Sequence, residues 1–335
     1  MWTRRRFLGF SSYTLAAARA GGGLPGIGEP AVESRSNPIP SEPAGSRTIE
    51  LFLCGDAMTG RGIDQILPHP SKPRIYEPAV SSALGYVGLA ERANGPIPYP
   101  VDFSYVWGDT LAELRARAPD RRIVNLETSI TTSEEALPKG INYRMHPRNV
   151  ACLQAAGIDC CVLANNHVLD WGIPGLLETV ESLRRAGIST AGAGRNAADA
   201  ARPAVLDAGK GRVLVFGFGS PTSGVPIDWS AGEGRPGVQV LPDLSAQTAS
   251  RVADRIHAQR RPGDLVVASI HWGGNWGYEI PRAQREFAHR LPGIRRRFRR
   301  VRSYARHPQR SRRRCTTASG GSGGEAIREL HTPAI

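Results

Sequence analysis

Several short apolar segments in the middle of the chain have the length and composition of buried β-strands, and each one stops abruptly at a polar residue. The segments are IELFLCGD, RIVNLE, DCCVLANNH and DLVVASIHWG, which end at or near Asp56, Glu127, Asn166 with His167, and His271. Between them, residues 109–118 and 175–186 carry helical patterns. Strands that alternate with helices predict an α/β fold with a mainly parallel sheet.

The polar residues at the ends of these strands form the candidate site. Because the carboxyl ends of parallel strands meet at one edge of a sheet, we expect Asp56, Glu127, Asn166 and His271 to lie together there. Oxygen and imidazole donors in one set favour Mn, Fe or Zn, whereas carboxylates alone would favour Ca or Mg. One or two such ions could activate a water. An uncoordinated histidine beside them could protonate a leaving group.

Each of these residues also has an ordinary structural explanation. Asp56 is a good turn residue or helix N-cap. A turn with caps would account for any one of four other residues, which are Asn165, Asn166, His167 and Asp170. His271 could be a satisfied core histidine, whereas Glu127 is costly to bury unless it is paired. The joint pattern supports a site more strongly than any single member does.

The strong positive charge of the chain belongs to its two ends. The net charge is +13, of which residues 1–20 carry +4 and residues 291–335 carry +10, so residues 21–290 sum to about −1. This distribution argues against a nucleic-acid-binding function for the whole protein. A hydrophobic content of 40% allows a packed core and excludes a wholly disordered or fibrous chain.

The N-terminal segment predicts export. Residues 1–20 have a basic start, a modest apolar stretch and small residues at Ala18 and Ala20, and they are too short to span a membrane. The run TRRRFLG resembles a twin-arginine signal, with an ordinary secretory signal as the alternative. Residues 21–47 read as a flexible Gly/Pro/Ser linker, and the five cysteines favour buried free thiols over a disulfide framework. We expect a periplasmic or extracellular location.

The core domain, residues 48–290, resembles the CapA family of poly-γ-glutamate capsule biosynthesis proteins. The stretches that carry the resemblance are GDAMTGRG (55–62), RIVNLETSIT (122–131), KGINYRMHP (139–147), ANNHVLDWG (164–172) and HWGGNWGYEIP (271–281). The resemblance implies a four-layer αββα sandwich like that of the calcineurin-like metallophosphoesterases, with the site at one edge. It also implies that the sandwich is incomplete at its C-terminal end.

The resemblance assigns roles to individual positions. Asp56 would be the first metal-binding aspartate, Glu127 the bridging carboxylate, Asn166 the amide ligand and His271 a ligand of the second metal. His167 would be the acid or transition-state stabiliser, and Asp170 would act with it. One departure is that a methionine stands where the phosphoesterases carry a histidine two residues after the first aspartate.

The same resemblance implies a partner. Arg61, Lys139, Asn142 and Arg144 would line the cleft and meet a carboxylate-rich polymer. A solvated strand face and loop is the alternative interpretation of these four residues.

Beyond residue 291 the sequence departs from the family pattern. An arginine-rich segment without lysine stands where further strands and a Gly-His segment are expected. Our hypothesis is a frameshift just after Leu291, which would leave a disordered tail, weak or absent catalysis and poor solubility. A genuine tail for nucleic acid or an anionic surface, and a lineage-specific extension, are the alternatives.

The sequence therefore supports two functions of different class. The first is an exported capsule-biosynthesis protein with a metallophosphatase-like hydrolase site, acting on poly-γ-glutamate or a similar anionic polymer beside membrane-bound synthesis machinery. The second is a non-catalytic polymer-binding or scaffold module of the same fold. A specific nucleic-acid function would rest on the tail alone.

Overall fold

A computed structural model describes residues 48–209, 211–275 and 279–291, together with the backbone of residues 316–320 and 328–330. The predictions for the export signal, the linker and the remainder of the tail lie outside these residues. The strands are β1 (Ile49–Ala57), β2 (Arg121–Leu126), β3 (Ser129–Ile130), β4 (Arg144–Met145), β5 (Cys160–Val162), β6 (Ser189–Ala191), β7 (Ala193–Gly194), β8 (Ala204–Asp207), β9 (Arg212–Gly219), β10 (Gly237–Val238), β11 (Leu265–His271), β12 (Thr316–Gly320) and β13 (Arg328–Leu330). The helices are α1 (Arg61–Ile66), α2 (Leu84–Asn94), α3 (Thr110–Arg117), α4 (Ala151–Ala155), α5 (Gly172–Arg185), α6 (Ala197–Ala201), α7 (Ala246–Gln259) and α8 (Arg282–Arg290).

The first sheet contains three of the four strands singled out in the sequence. Its order is β12-β1-β2-β5-β6, and β1, β2, β5 and β6 run parallel, while β12 pairs antiparallel with β1 at the edge. The apolar runs fit this position because strands of a parallel sheet are covered on both faces. The predicted mainly parallel sheet is confirmed.

The second sheet has the order β13-β11-β9-β8. Strands β9 and β11 run parallel to each other, β13 joins β11 in parallel, and β8 pairs antiparallel with β9. Seven of the eight residues of β9 are buried. The sequence analysis did not single out β9, because no ligand-type residue marks its end.

Apolar side chains hold the two sheets face to face. One cluster joins Leu51 and Ile123 of the first sheet to Val213, Val215 and Val267 of the second. A second cluster packs the other face of the first sheet against α1 to α5, and a third packs the other face of the second sheet against α7 and α8. The described residues thus form a mixed α/β arrangement of two packed sheets with helices outside them.

Two helices confirm the helical segments predicted from the sequence, and their bounds differ from the predicted ones by one to three residues. The 109–118 pattern corresponds to α3, and the 175–186 pattern corresponds to α5. Helix α5 buries Leu176, Thr179 and Leu183 on one face, as expected for an amphipathic helix over a sheet. Arg184 and Arg185 lie in its last turn, where cations interact favourably with the helix dipole.

The cysteines of the described core are free thiols, as predicted. Cys152, Cys160 and Cys161 are buried, and Cys54 is partly buried. Burial raises the pKa of the Cys152 thiol to about 12, so this group stays protonated and unreactive. In the part of the chain that the structure describes, no helix has both the length and the apolar character needed to cross a bilayer.

Candidate functional site at the strand ends

A β-bulge at the end of β1 aims Asp56 at the neighbouring strand. Cys54 pairs with Val124 and Asp56 pairs with Asn125, so Gly55 is the extra residue between the two pairs. Bulges of this kind redirect side chains beside functional sites. As a result, the Asn125 amide donates to Asp56 Oδ1 at 2.5 Å.

The loop after β5 is shaped by its own polar side chains. Asn165 Oδ1 accepts hydrogen bonds from the backbone N–H groups of His167 and Val168, at 3.0 and 3.1 Å. The Asn165 amide donates to Asn125 Oδ1 at 3.1 Å and to the Leu126 carbonyl at 2.8 Å. The turn-and-cap explanation is therefore right for Asn165, and its effect is to fix the loop that carries Asn166 and His167.

Both sheets contribute polar side chains to one cluster at the same edge of the fold. His271, the last residue of β11, has Nε2 3.0 Å from Asn166 Oδ1 and 3.9 Å from Glu127 Oε1. Its Nδ1 lies 3.3 Å from the Asn125 amide nitrogen and 3.4 Å from Asp56 Oδ1. Asp56, Glu127, Asn166 and His271 thus lie together, as their positions at strand ends predicted.

His167 is the second histidine of this cluster, and Asp170 fixes its orientation. Nδ1 of His167 lies 2.7 Å from Asp170 Oδ2, and Nε2 lies 3.7 Å from Glu127 Oε1. Because a carboxylate only accepts hydrogen bonds, Nδ1 carries the proton and Nε2 presents a lone pair. Burial lowers the pKa of His167 and outweighs the raising effect of Asp170, so the imidazole is neutral at neutral pH.

Asp170 is fully buried and accepts three hydrogen bonds through its side chain. Oδ2 accepts from the Tyr143 backbone N–H at 2.6 Å as well as from His167, and Oδ1 accepts from Lys139 Nζ at 2.7 Å. Lys139 also donates to the Asn166 carbonyl and lies 5.3 Å from the centre of the Trp229 ring. A lysine, a carboxylate and an imidazole therefore form a chain that ends beside Glu127.

The donors fit one divalent ion on the Nε2 side of His271. Donors that share an ion with bonds of about 2.1 Å lie roughly 3 Å apart. The 3.0 Å spacing between His271 and Asn166 meets this, while Glu127 Oε1, which lies 3.9 Å from His271 Nε2, would have to move closer by about 1 Å. Among the described residues, no three His, Cys, Asp or Glu side chains form a metal-binding group by themselves. A site here therefore depends on the Asn166 amide.

Asp56 lies on the other side of the His271 ring from these donors. Its Oδ1 is near Nδ1, where it could accept the Nδ1 proton and leave Nε2 free to bind a cation. Carboxylates often hold metal-binding histidines in this way. The assignment of Asp56 as a direct ligand stays a prediction.

Three of the four predicted polymer-binding residues are buried and bonded inside the protein. Arg61 pairs with Glu77, and the Asn142 amide donates to the Leu137 and Asp170 carbonyls. Arg144 is bonded to the Ser133 carbonyl and to Glu134, and it stacks on Trp171. The small pocket that these three residues share has a volume of about 10 Å³, room for roughly one water. Lys139 is the one of the four that is exposed.

Two residues of the cluster were missed by the sequence analysis. Asn125 links Asp56, His271 and Asn165. It lies in β2, two positions before Glu127, so strand alternation could have placed both side chains on one face, although not the contact with Asp56. Tyr143 stacks on His167 with ring centres 3.8 Å apart. No local pattern separates it from an ordinary core tyrosine.

Comparison with known proteins supports the resemblance noted in the sequence. Residues 50–293 match the bacterial capsule synthesis protein family PGA_cap. The chain belongs to this family. A probable polyglutamine synthesis accessory protein of Mycobacterium tuberculosis is 47% identical over 246 residues, which cover 72% of this chain and 65% of the relative. The capsule biosynthesis protein CapA of Bacillus anthracis is 29% identical over 136 residues, which cover 40% of this chain and 32% of the relative.

A further PGA_cap relative is the PGA biosynthesis protein CapA of Bacillus subtilis. It is 24% identical over 176 residues, 51% of this chain and 44% of the relative. The chain thus spans less than two thirds of the length of these curated relatives. The family match includes every strand end that contributes to the cluster and ends close to residue 291, where the sequence pattern changes.

Proposed function

We propose that this chain acts in the synthesis of an anionic capsule polymer of the poly-glutamate type, outside the cytoplasm, with a metal-dependent hydrolase site at the strand ends. The family membership supports the polymer role, since relatives carry the names capsule biosynthesis protein and polyglutamine synthesis accessory protein. The observation that carries the hydrolase role is the convergence of Glu127, Asn166, His167 and His271 from three strand ends. The two packed sheets with outer helices support a metallophosphoesterase-like fold.

In this proposal some residues of the cluster bind a metal ion and others transfer a proton. Glu127, Asn166 and His271 would hold a divalent ion, which would supply an activated water when bound. Neutral His167 accepts a proton from the attacking water at Nε2, and the resulting imidazolium is stabilised by Asp170. The same nitrogen then returns the proton to the leaving group.

The electrostatics of the cluster suit this cycle. Side chains of Glu127, His167 and His271 are 4 to 9% exposed, so water is largely excluded around them. Charge interactions are stronger in such surroundings than in bulk water. Lys139 balances the charge of Asp170, which keeps the carboxylate available to the imidazole.

Metal binding and phosphodiester hydrolysis test the proposal together. The full chain is freed of metal, loaded with Mn²⁺, Fe²⁺ or Zn²⁺, and assayed with bis(4-nitrophenyl) phosphate and with poly-γ-glutamate. We expect turnover that requires one of the ions, and titration calorimetry should show that Glu127→Gln and His271→Gln weaken ion binding. Glu286→Gln, a change at a partly exposed residue of α8, is the matched control. Unchanged ion affinity in both site variants would contradict the proposal.

The second candidate is a polymer-binding module without catalysis. The hydrogen bonds around His271 are complete without an ion, because Nε2–H can donate to Asn166 while Nδ1 accepts from Asn125. This function predicts that metal-free protein binds poly-γ-glutamate as tightly as metal-loaded protein and that neither form hydrolyses it. Co-sedimentation with the polymer in EDTA and in Mn²⁺ separates the two functions.

A further inference from the structure

A column of stacked side chains extends from His167 to Tyr86 on α2. The Tyr143 ring stacks on the His167 ring, with centres 3.8 Å apart and planes 19° apart. The Arg61 guanidinium lies 4.6 Å from the centre of Tyr143 and 4.7 Å from the centre of Tyr86. We call these four residues the stacking column. It joins four segments that are separate in the sequence, which are α1, α2, the residue before β4 and the loop after β5.

Glu77 fixes the end of the stacking column that is farther from His167. Its Oε1 accepts from Arg61 Nε at 2.6 Å, and its Oε2 accepts from the Tyr86 hydroxyl. Both partners of the Arg61–Glu77 pair are at most 7% exposed. A buried ion pair with further hydrogen bonds of this kind holds its members in one geometry.

The backbone at Arg61 has an unusual conformation. Its φ is +51°, in the left-handed region that residues other than glycine rarely adopt, and Gly60 and Gly62 flank it. Such a conformation is energetically costly in a residue with a side chain and tends to persist at functional positions. Glycine would relieve that cost, so the arginine side chain must compensate for it through its contacts.

The stacking column supplies a restraint that Asp170 cannot. The hydrogen bond from Nδ1 to Asp170 fixes one atom of the imidazole, but the ring can still tilt about that bond. Tilting would move Nε2 away from Glu127, which lies 3.7 Å from it. Aromatic stacking holds the plane of the ring and stabilises the contact beyond the burial of its area.

We propose that Tyr143 and Arg61 are positioning residues that hold the plane of the His167 imidazole, so that its Nε2 faces Glu127. This inference rests on the proposed function for its catalytic consequence, though not for the geometry. It gives Arg61 a role different from polymer binding. The guanidinium acts through Tyr143 and does not have to meet the substrate.

Proton NMR of metal-free full-length protein tests the geometry without any activity. The His167 ring protons are assigned with a His167→Gln variant, and stacking on Tyr143 shifts them upfield. We expect Tyr143→Phe to keep this shift and Tyr143→Leu to remove it. The decisive variant is Arg61→Lys, which keeps the charge but loses the planar group. In Arg61→Lys, the His167 ring protons should move toward the chemical shifts that they have in Tyr143→Leu, because Tyr143 is no longer held in place.

Arg212→Lys is the matched control. Arg212 also makes a two-point ion pair, with Asp264, but it lies at the start of β9, at the opposite end of the strand from the site. It should leave the His167 resonances unchanged. The inference would be overturned if the His167 ring protons kept their wild-type chemical shifts in Arg61→Lys. It would also be overturned if Arg212→Lys changed these chemical shifts as much as Arg61→Lys does.

Kinetics of the metal-loaded protein provide the second readout. A misplaced catalytic group can cost up to about 100-fold in rate, so we expect Tyr143→Leu and Arg61→Lys to lower kcat by roughly 10- to 100-fold with KM nearly constant. Tyr143→Phe should recover most of the turnover. A rise in KM with constant kcat in Arg61→Lys would instead show that Arg61 contributes to substrate binding, and it would refute the positioning role. If the wild-type protein has no turnover, the hydrolase proposal fails, while the NMR result still decides the geometry of the stacking column.

Discussion

Asp170 offers the sharpest test of how the cluster is held together. Replacing it with asparagine keeps the shape and one acceptor oxygen but removes the charge. The carboxylate accepts from Tyr143 N, His167 Nδ1 and Lys139 Nζ, and all three distances are 2.6 to 2.7 Å. The new amide group must then face at least one of these donors.

The least costly arrangement can be deduced from the burial of the donors. If the asparagine oxygen takes the place of Oδ2, Tyr143 and His167 keep an acceptor, and the amide faces Lys139, which can turn to solvent. The charge-assisted bond to Lys139 is lost and the other two become neutral. Hydrogen bonds to charged groups contribute about 1.5–3 kcal/mol each, so the expected loss of unfolding free energy is roughly 2–3 kcal/mol. The midpoint of thermal unfolding should fall by about 4–12 °C for a domain of this size.

A double-mutant cycle with Lys139→Met checks the assignment. Lys139→Met alone leaves a buried carboxylate without its cation, whereas the double variant has neither charge. We therefore expect the two single losses to exceed the loss in the double variant by about 1 kcal/mol or more. The measurement is urea unfolding followed by circular dichroism. A loss below about 1 kcal/mol in Asp170→Asn, or strict additivity in the cycle, would refute the reasoning.

Two further predictions concern the framework. Gly217→Ala should destabilise the protein by about 1–3 kcal/mol in urea unfolding, because the added methyl group would lie 2.7 Å from Val162 Cγ1 and 3.0 Å from the Ala191 carbonyl oxygen. Val162→Ala in the same chain should recover part of that loss, and no recovery would mean that the side-chain clash is not the cause. The Arg212 hydrogen bonds hold the pKa of Asp264 below its usual 3.8, so Asp264 stabilises the fold above that value and loses its contribution as the pH falls through the lower folded-state pKa. The stability difference between the wild type and Asp264→Asn should accordingly shrink below about pH 4, and a difference that grows there would be evidence against the pair.

The parts of the fold that the sequence predicted are those with a local cause. An apolar run that ends at a ligand-type residue marks a buried strand and its carboxyl end, and this located Asp56, Glu127 and His271. Strand β9 has the same apolar character, yet it ends in Gly219 and gave no chemical signal. Strand β9 was therefore not assigned a place in the predicted site, although it is one of the two central strands of the second sheet.

The parts that could not be predicted depend on tertiary geometry. Asn125 stands beside Asp56 because of a register shift at Gly55, which no spacing rule anticipates. The family resemblance implied that Arg61 would meet a polymer, whereas the structure places its guanidinium near two tyrosine rings. The orientation of the His271 ring, with Nδ1 toward Asp56, likewise depends on tertiary structure, because the two residues belong to different sheets.

The close approach of the two sheets is what makes the cluster a single site. His271 reaches Asn166 from the second sheet, so their 3.0 Å contact depends on the spacing between the sheets. That spacing is small beside the site because Gly192, with φ +84°, lies against Gly217, and a methyl group on Gly192 would be 2.9 Å from the Gly217 Cα. Larger residues at these two positions would push β9, and with it β11, away from the first sheet. The glycine contact therefore sets the distance between the His271 imidazole and the donors of the first sheet, and it connects the packing of the core to any chemistry at its edge.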